Sequence, residues 1–203
     1  MKSQPLVNKL IVFAKAPRLG QVKSRLAADI GERAACDAYK KITAHLFQNL
    51  SDLEPVEIRF TPDEAENELR SWLGETFEFS PQGTGNLGDR LLRAFTENFS
   101  RGNQRVIAIG SDCPYVTQTD IESAWMALEQ NDVVLGPATD GGYWLIGMRK
   151  PQPALFQKIP WSTETVLEST LSRCRELQLT FELLRTLDDI DVVSDWEKFL
   201  RDH

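Results

Sequence analysis

Hydrophobic positions along the chain fall into short apolar runs separated by longer stretches with helical spacing. Residues 10–14 (Leu-Ile-Val-Phe-Ala) read as a buried strand, far too short to span a membrane. Residues 33–49 carry apolar positions at helical spacing, and 56–60 alternate as a second strand. Pro62 and Asp63 open a helix running to about residue 72, and 77–79 form a short strand. Residues 87–99 are helical, with Leu87, Leu91, Ala94 and Phe95 on one face. Arg105–Gly110 is the clearest strand, and Thr117 with Asp120 stands at capping-box spacing ahead of a helix to residue 129. Residues 132–136 and 143–148 are two strands joined by a Gly-Gly turn. A helix over 163–177, a strand over 180–184 and a last helix opened by a Ser194–Glu197 capping box complete the pattern.

Strands alternating with helices predict an α/β domain: a mostly parallel sheet with helices on both faces, three α/β/α layers. The hairpin-like pair after residue 132 makes that sheet mixed. There is no internal repeat, low-complexity tract or linker, so residues 1–203 read as one domain. In such sheets ligands bind beyond the carboxyl ends of the strands, and the residues expected there become the candidates.

Composition changes this picture little. With 41% hydrophobic and 26% charged residues, disorder is not the default. A net charge of −7 argues against a nucleic-acid partner, because a phosphate backbone needs a broad basic surface. A small nucleotide in a local basic pocket remains compatible. Cys36, Cys113 and Cys174 are far apart and form no Cys-x-x-Cys pair, so they read as reduced, mostly buried thiols. Residues 1–9 lack an apolar signal core, which predicts a cytoplasmic protein with no membrane partner, a monomer or homodimer.

Four segments at predicted strand ends carry the candidate chemistry. The first, after Ala14, places Lys15, Arg18, Lys23 and Arg25 within eleven positions, with Pro17 and Gly20 between them. A loop between strand and helix can offer N–H groups and basic side chains to phosphate. It is not a Walker loop, since Lys23 does not follow the glycine, and a solvated basic loop is the plain alternative. The second is Gly110-Ser111-Asp112-Cys113-Pro114. An acid just beyond a buried strand loses solvation and needs a partner, either a cation or the N–H groups of a turn that it caps. With only His45 and His203 in the chain, Cys113 has no evident base and is not read as a nucleophile.

In the third, Asp140, Gly141 and Gly142 precede Tyr143 and Trp144. This is either a tight turn or a place where a ligand approaches backbone closely. Tyr143 and Trp144 begin a strand and should face opposite sides, one core and one cleft. The fourth holds Asp188, Asp189 and Asp191, which repel one another unless solvated or bridged by a cation. Asp112 and one of these could share Mg2+, whose two carboxylate oxygens would then stand no more than about 4 Å apart. A glycine-rich turn with Gln82, Gly85, Asn86 and Gly88 could hug a base or ribose, or simply connect a strand to a helix. Trp161 could pack on a sugar ring or in the core.

With these residues in place, the chain resembles the nucleotide-diphospho-sugar transferase superfamily, of GT-A fold. More closely, it looks like the bacterial glycosyltransferase-like proteins akin to 2-phospho-lactate guanylyltransferase. The resemblance runs from about Leu10 to Phe199. It rests on Lys-x-Pro-x-x-Gly-x-Val-Lys-x-Arg-Leu from Lys15, Gly-Ser-Asp-Cys-Pro from Gly110, Gly-Pro-x-x-Asp-Gly-Gly-Tyr from Gly136, Pro-Trp-Ser-Thr from Pro160 and Asp-Ile-Asp from Asp189. It implies that Lys15, Lys23 and Arg25 hold nucleotide phosphates, with Ala14, Pro17 and Gly20 in the same loop, and that Lys23 and Asp112 are catalytic. It implies a Mg2+ or Mn2+ ion on Asp112 and Asp191, although Val192-Val193-Ser194 departs from the Thr-Pro-Glu that follows the second metal aspartate in several relatives. Asp140, Gly141, Gly142, Tyr143, Trp161, Ser162 and Thr163 would face a small-molecule acceptor.

Three functions follow. The first is transfer of a nucleotidyl group from an NTP to a small phosphorylated or acidic acceptor, which the charge of the first loop supports. The second is glycosyl transfer from an NDP-sugar. The third is nucleotide binding without catalysis, since fold alone does not fix function.

Overall fold

A computed structural model of the chain describes residues 7–53 and 55–202. Its elements in order are β1 (Asn8–Lys15), α1 (Ser24–Ile30), α2 (Glu32–Asn49), β2 (Val56–Thr61), α3 (Glu66–Leu73), β3 (Glu78–Pro81) and α4 (Leu87–Ser100). There follow β4 (Arg105–Gly110), α5 (Gln118–Gln130), β5 (Val133–Pro137), β6 (Tyr143–Met148), a 3-10 turn (Pro153–Phe156), α6 (Val166–Glu176), β7 (Phe181–Leu183) and α7 (Val193–Asp202). The strands make one sheet in the order β3-β2-β1-β4-β6-β5-β7. Among the described residues β6 alone is antiparallel, lying between β4 and β5. The carboxyl ends of the other strands therefore emerge at one edge, together with the start of β6.

The period-2 alternation of the strands divides the core. Leu10, Val12, Ile107, Ile109 and Val134 pack under α2 and α5, against Leu46, Ile121, Ala124 and Leu128. Ile11, Val106, Ala108, Val133 and Leu135 pack under α4 and α6, against Leu91, Phe95, Leu171 and Cys174. The result is the three-layer α/β/α arrangement with a mostly parallel mixed sheet that the hydrophobic pattern implies. All three cysteines are buried and free. Among the described residues no helix is long and apolar enough to cross a membrane. The first six residues of the segment read as lacking a signal core lie outside the described residues.

Several local features differ from the pattern. α1 precedes the long helix and is set off from it by Gly31 at φ 84. Seven residues are too few to display a periodic stripe. α3 begins at Glu66, not at Pro62, because the chain first makes a turn closed by the Ala65 N–H on the Pro62 carbonyl. Leu87 is 42% exposed, at the rim of the edge, while Leu91, Ala94 and Phe95 are buried. The last helix has no Ser194 cap: Ser194 lies inside α7, and Asp195 accepts the N–H groups of Asp191 and Val192, each at 3.1 Å. In β2 the charged face is not solvated. Arg59 and Glu57 are buried 2.7 Å apart beneath α4, where Asn98 donates to Glu57 at 2.7 Å.

Candidate functional site

The strand order reverses beside β1: the chain continues to β2 on one side, and β4 adds on the other. A crevice opens at such a switch point. Residues 16–23 leave β1 on one bank and residues 111–114 leave β4 on the other. Tyr39 of α2 ties the banks together. Its hydroxyl accepts the Lys15 N–H at 2.9 Å, lies 3.2 Å from the Lys15 carbonyl and 2.9 Å from Ser111 Oγ. Burial pushes the phenol well above its ordinary range. In the sequence Tyr39 is one more position on the buried face of a helix, so nothing there marks it.

Lys23 stands just before α1 with φ 50 and ψ 48, a left-handed backbone uncommon outside glycine. Its side chain is only 2% exposed, and its Nζ lies 3.1 Å from Asp112 Oδ1 and 3.7 Å from Asp191 Oδ1. The angles fall short of hydrogen bonding, so this is a purely electrostatic contact of a buried ammonium. Both oxygens touch one nitrogen, so they lie within about 7 Å of each other. Arg25, on α1, reaches Asp191 Oδ2 at 3.1 Å from the solvent side and is 74% exposed.

Asp112 is placed by β4. Asp191 comes from the far end of the sheet and is held by packing: Ile190 is buried with Ile42 and Phe199. The segment also docks on the β4 loop, through the Ile190 N–H on the Asp112 carbonyl at 3.4 Å and Cys113 Sγ on the Asp188 carbonyl at 3.4 Å. Burial pushes the Cys113 thiol up to about 12, so it is inert as a nucleophile.

The acidic trio splits. Asp188 accepts from Thr139 at 2.8 Å and pairs with Lys198 at 3.6 Å, away from the crevice. Asp189 sits behind the pair: burial pushes its carboxyl up to about 7, Asp112 adds to this, Lys23 opposes it, and Asp140 and Asp191 add further. An oxygen-only pair at this point suits a hard divalent cation. Among the described residues no three His, Cys, Asp or Glu side chains group to hold a metal. A cation here would thus take the rest of its shell from a ligand.

The remaining loop residues have defined partners. The exposed Lys15 ammonium makes no ion pair among the described residues, whereas Arg18 turns away to Glu64 and Glu68 at 2.9 and 3.0 Å. The Pro17 carbonyl accepts from Cys36, and Gly20 turns at φ 71. Gln82 spends its amide on the fold: it donates to the carbonyls of Ala14 at 3.1 Å and Arg59 at 3.0 Å, and accepts from Arg90 at 2.8 Å. Arg93 holds the carbonyls of Gln82 and Thr84, and Asn86 with Asp89 forms the capping box of α4. The turn before α4 is therefore held by side chains of that helix, and the side chains of Gln82 and Asn86 are engaged within the protein. A Cβ on Gly88 would stand 2.4 Å from Trp161 Nε1, so the ring lies directly on that glycine.

Beside the acidic pair is a pocket of about 400 Å3, lined by Arg25, Leu87, Asp140, Gly142, Tyr143, Trp161, Ser162, Thr163, Glu164, Val166, Asp189 and Asp191. Pairing of Pro137 with Tyr143 and of Gly136 with Leu145 leaves Trp144 as an extra residue, a bulge. Tyr143 faces the α4 and α6 side and lines the pocket, while Trp144 is core and donates to the Arg185 carbonyl at 3.1 Å. Gly141 is needed for packing: at φ 87, a Cβ there would lie 1.9 Å from the Glu164 carbonyl. Ser162 also takes a left-handed backbone, φ 66, in the pocket wall. A larger groove of about 490 Å3 around Phe47, Trp72 and Phe77 flanks the starts of β2 and β3, at the opposite edge from this chemistry.

A sequence profile described as an uncharacterized protein family conserved in bacteria (DUF2064) matches residues 44–163. No curated protein matches. A crystal structure from Desulfovibrio desulfuricans G20, provisionally assigned as a nucleotide-diphospho-sugar transferase, is 32% identical with a TM-score of 0.91, covering 96% of this chain and 87% of that one. CMP:2-keto-3-deoxy-manno-octonic acid synthetase complexed with CTP matches at TM-score 0.60 and 10% identity, over 95% and 96% of the two chains. Rv0371c of Mycobacterium tuberculosis H37Rv, in complex with manganese, matches at 0.58 and 11%, over 97% and 100%. At such identities the last two show a shared fold.

Proposed function

This chain belongs to the DUF2064 family and has the GT-A-like fold of nucleotide-diphospho-sugar transferases, and from that premise we propose that it is a metal-dependent transferase that moves a nucleotidyl group from an NTP to a small acceptor. The observation that carries this reading is the meeting of Asp112 and Asp191 on Lys23 at the switch point of the sheet. Two carboxylates from separate elements, with a lysine from the first loop, can serve a polyphosphate and its cation together. One distant structure of this fold is complexed with CTP and another with manganese, which supports reading the site for a nucleotide and for a divalent cation.

Lys15, Lys23 and Arg25 bind the phosphates. Mg2+ or Mn2+ on Asp112 and Asp191 would neutralise charge on the phosphate oxygens. The acceptor lies in the pocket of Asp140, Tyr143 and Trp161, beside the segment of Ser162 and Thr163. An acceptor hydroxyl attacks the α-phosphorus and releases its proton to solvent, the bond to the oxygen bridging the α- and β-phosphates breaks, and pyrophosphate leaves. The chain contributes positioning and charge stabilisation, with no covalent intermediate on the protein. The pocket walls carry Asp140, Glu164, Asp189 and Asp191 against Arg25 alone. With Asp191 turned to the cation and the Asp189 carboxyl pushed up to about 7, Asp140 and Glu164 still favour an uncharged hydroxyl-bearing acceptor over the phosphorylated or acidic one expected from the sequence, because like charges repel at short range.

Glycosyl transfer from an NDP-sugar is the second reading, favoured by the assignment of the 32% identical structure. A thermal-shift screen of NTPs and NDP-sugars, with and without Mg2+ or Mn2+, separates the two. A ligand at 100 times its Kd stabilises by about 2.7 kcal/mol. Metal-dependent shifts with an NTP support nucleotidyl transfer, and shifts confined to NDP-sugars support glycosyl transfer. No shift with any nucleotide contradicts both.

A further inference from the structure

We propose that Lys23 is the resident cation of the Asp112–Asp191 pair, that its ammonium and a divalent metal exclude one another there, and that the metal binds strongly only when a polyphosphate draws Lys23 away. This rests on the nucleotide-and-metal reading above. Lys23 keeps an exposed backbone but sends its side chain into the crevice until it is 2% exposed. There it meets Asp112 at 3.1 Å and Asp191 at 3.7 Å, with Asp189 close behind. Its backbone is left-handed at the start of α1, where the Ala27 N–H donates to the Lys23 carbonyl at 2.8 Å. A non-glycine residue persists in that conformation only where its surroundings over-determine it.

Two features make the arrangement a switch and not a plain ion pair. Among the described residues the buried ammonium has no correctly aligned acceptor, so phosphate oxygens can offer it better bonds than it has. A dication between the same carboxylates would stand a few ångströms from the ammonium, and like charges at that range repel strongly. Arg25 does not replace Lys23, because it touches Asp191 only from solvent. Binding of metal and of polyphosphate should then reinforce each other reciprocally.

The test titrates Mn2+ alone, followed by electron paramagnetic resonance, into wild type, Lys23→Met, Lys23→Gln and the Lys23→Met/Asp112→Asn double variant. Thermal melts check that each is folded. Inorganic tripolyphosphate then supplies the triphosphate charge without a base. Lys23→Met and Lys23→Gln should bind Mn2+ about tenfold or more tighter than wild type, within the usual span of coupling effects. The double variant should lose that gain. Tripolyphosphate should raise Mn2+ affinity in wild type far more than in either single variant. Equal or weaker Mn2+ binding in the folded single variants, or no tripolyphosphate effect in wild type, overturns the inference and leaves the metal site standing. No Mn2+ binding by any protein under any condition overturns the metal site and the inference together.

Discussion

Lys23 reaches Asp112 and Asp191 through a left-handed backbone that no spacing rule announces. Lys23→Ala should weaken nucleotide binding by about 1.5–3 kcal/mol, the range for a bond to a charged group, when measured calorimetrically with metal present. Arg25→Ala should weaken it less, because Arg25 works from solvent. Unchanged affinity in both would remove the loop from nucleotide binding. Gly141 acts differently: an alanine there would collide with the Glu164 carbonyl at a φ of +87. Gly141→Ala should cost about 2–4 kcal/mol in chemical denaturation, and a neutral result would contradict the close approach. At this scale the sequence marked Asp112, Lys23 and Asp191 by charge at strand ends. Tyr39, Arg90 and Arg93 stayed hidden, because a helix's buried or basic positions look alike until the partner loop is known. Residue type and spacing did not separate Asp189 from Asp188 and Asp191, and only the resemblance singled out Asp191. Which of them turns inward is decided by Ile190 packing against Ile42 and Phe199.

Elements were legible where their own residues determine them. Thr117 and Asp120 form the capping box of α5 as their spacing implies. The Ser194–Glu197 box did not form, because α7 already begins at Val193 and Asp195, a charged acceptor, takes the N–H groups of Asp191 and Val192 ahead of it. α5 also carries a tertiary tie that spacing could not show: Arg185 pairs with Asp120 at 2.6 Å. Burial alone would push the Asp120 carboxyl up, but the bonds from Arg185 and Thr117 outweigh it and hold it below its ordinary value. A carboxyl lowered in the folded state adds stability that is present above its unfolded pKa, about 3.9, and lost as pH falls through the folded value. Asp120→Asn should therefore lower stability by about 1 kcal/mol at pH 7, as loss of a cap and a part-exposed ion pair would. Melting curves between pH 5 and pH 3 should fall less steeply for the variant. Parallel slopes for the two proteins would remove Asp120 from the pH response.

The whole molecule brings first and last segments together, and this is where local pattern was weakest. The alternation of strands and helices implied a mixed parallel sheet, yet only the order β3-β2-β1-β4-β6-β5-β7 places the β1 and β4 loops side by side. Nothing local says that residues after β7 cross back over β5 and β6 to dock on the Asp112 loop, since that path depends on α7 packing against α2. The central claim is that this junction is one nucleotide-and-metal site. Calorimetric titration of an NTP into wild type and Asp112→Asn, each with and without Mg2+, tests it most directly. Asp112→Asn should keep the wild-type melting transition to within a few degrees, since its carboxylate is half exposed. The claim requires that Mg2+ tighten NTP binding in wild type and that this gain disappear in the variant. A folded Asp112→Asn protein that binds the NTP with the same Mg2+ dependence as wild type would contradict it.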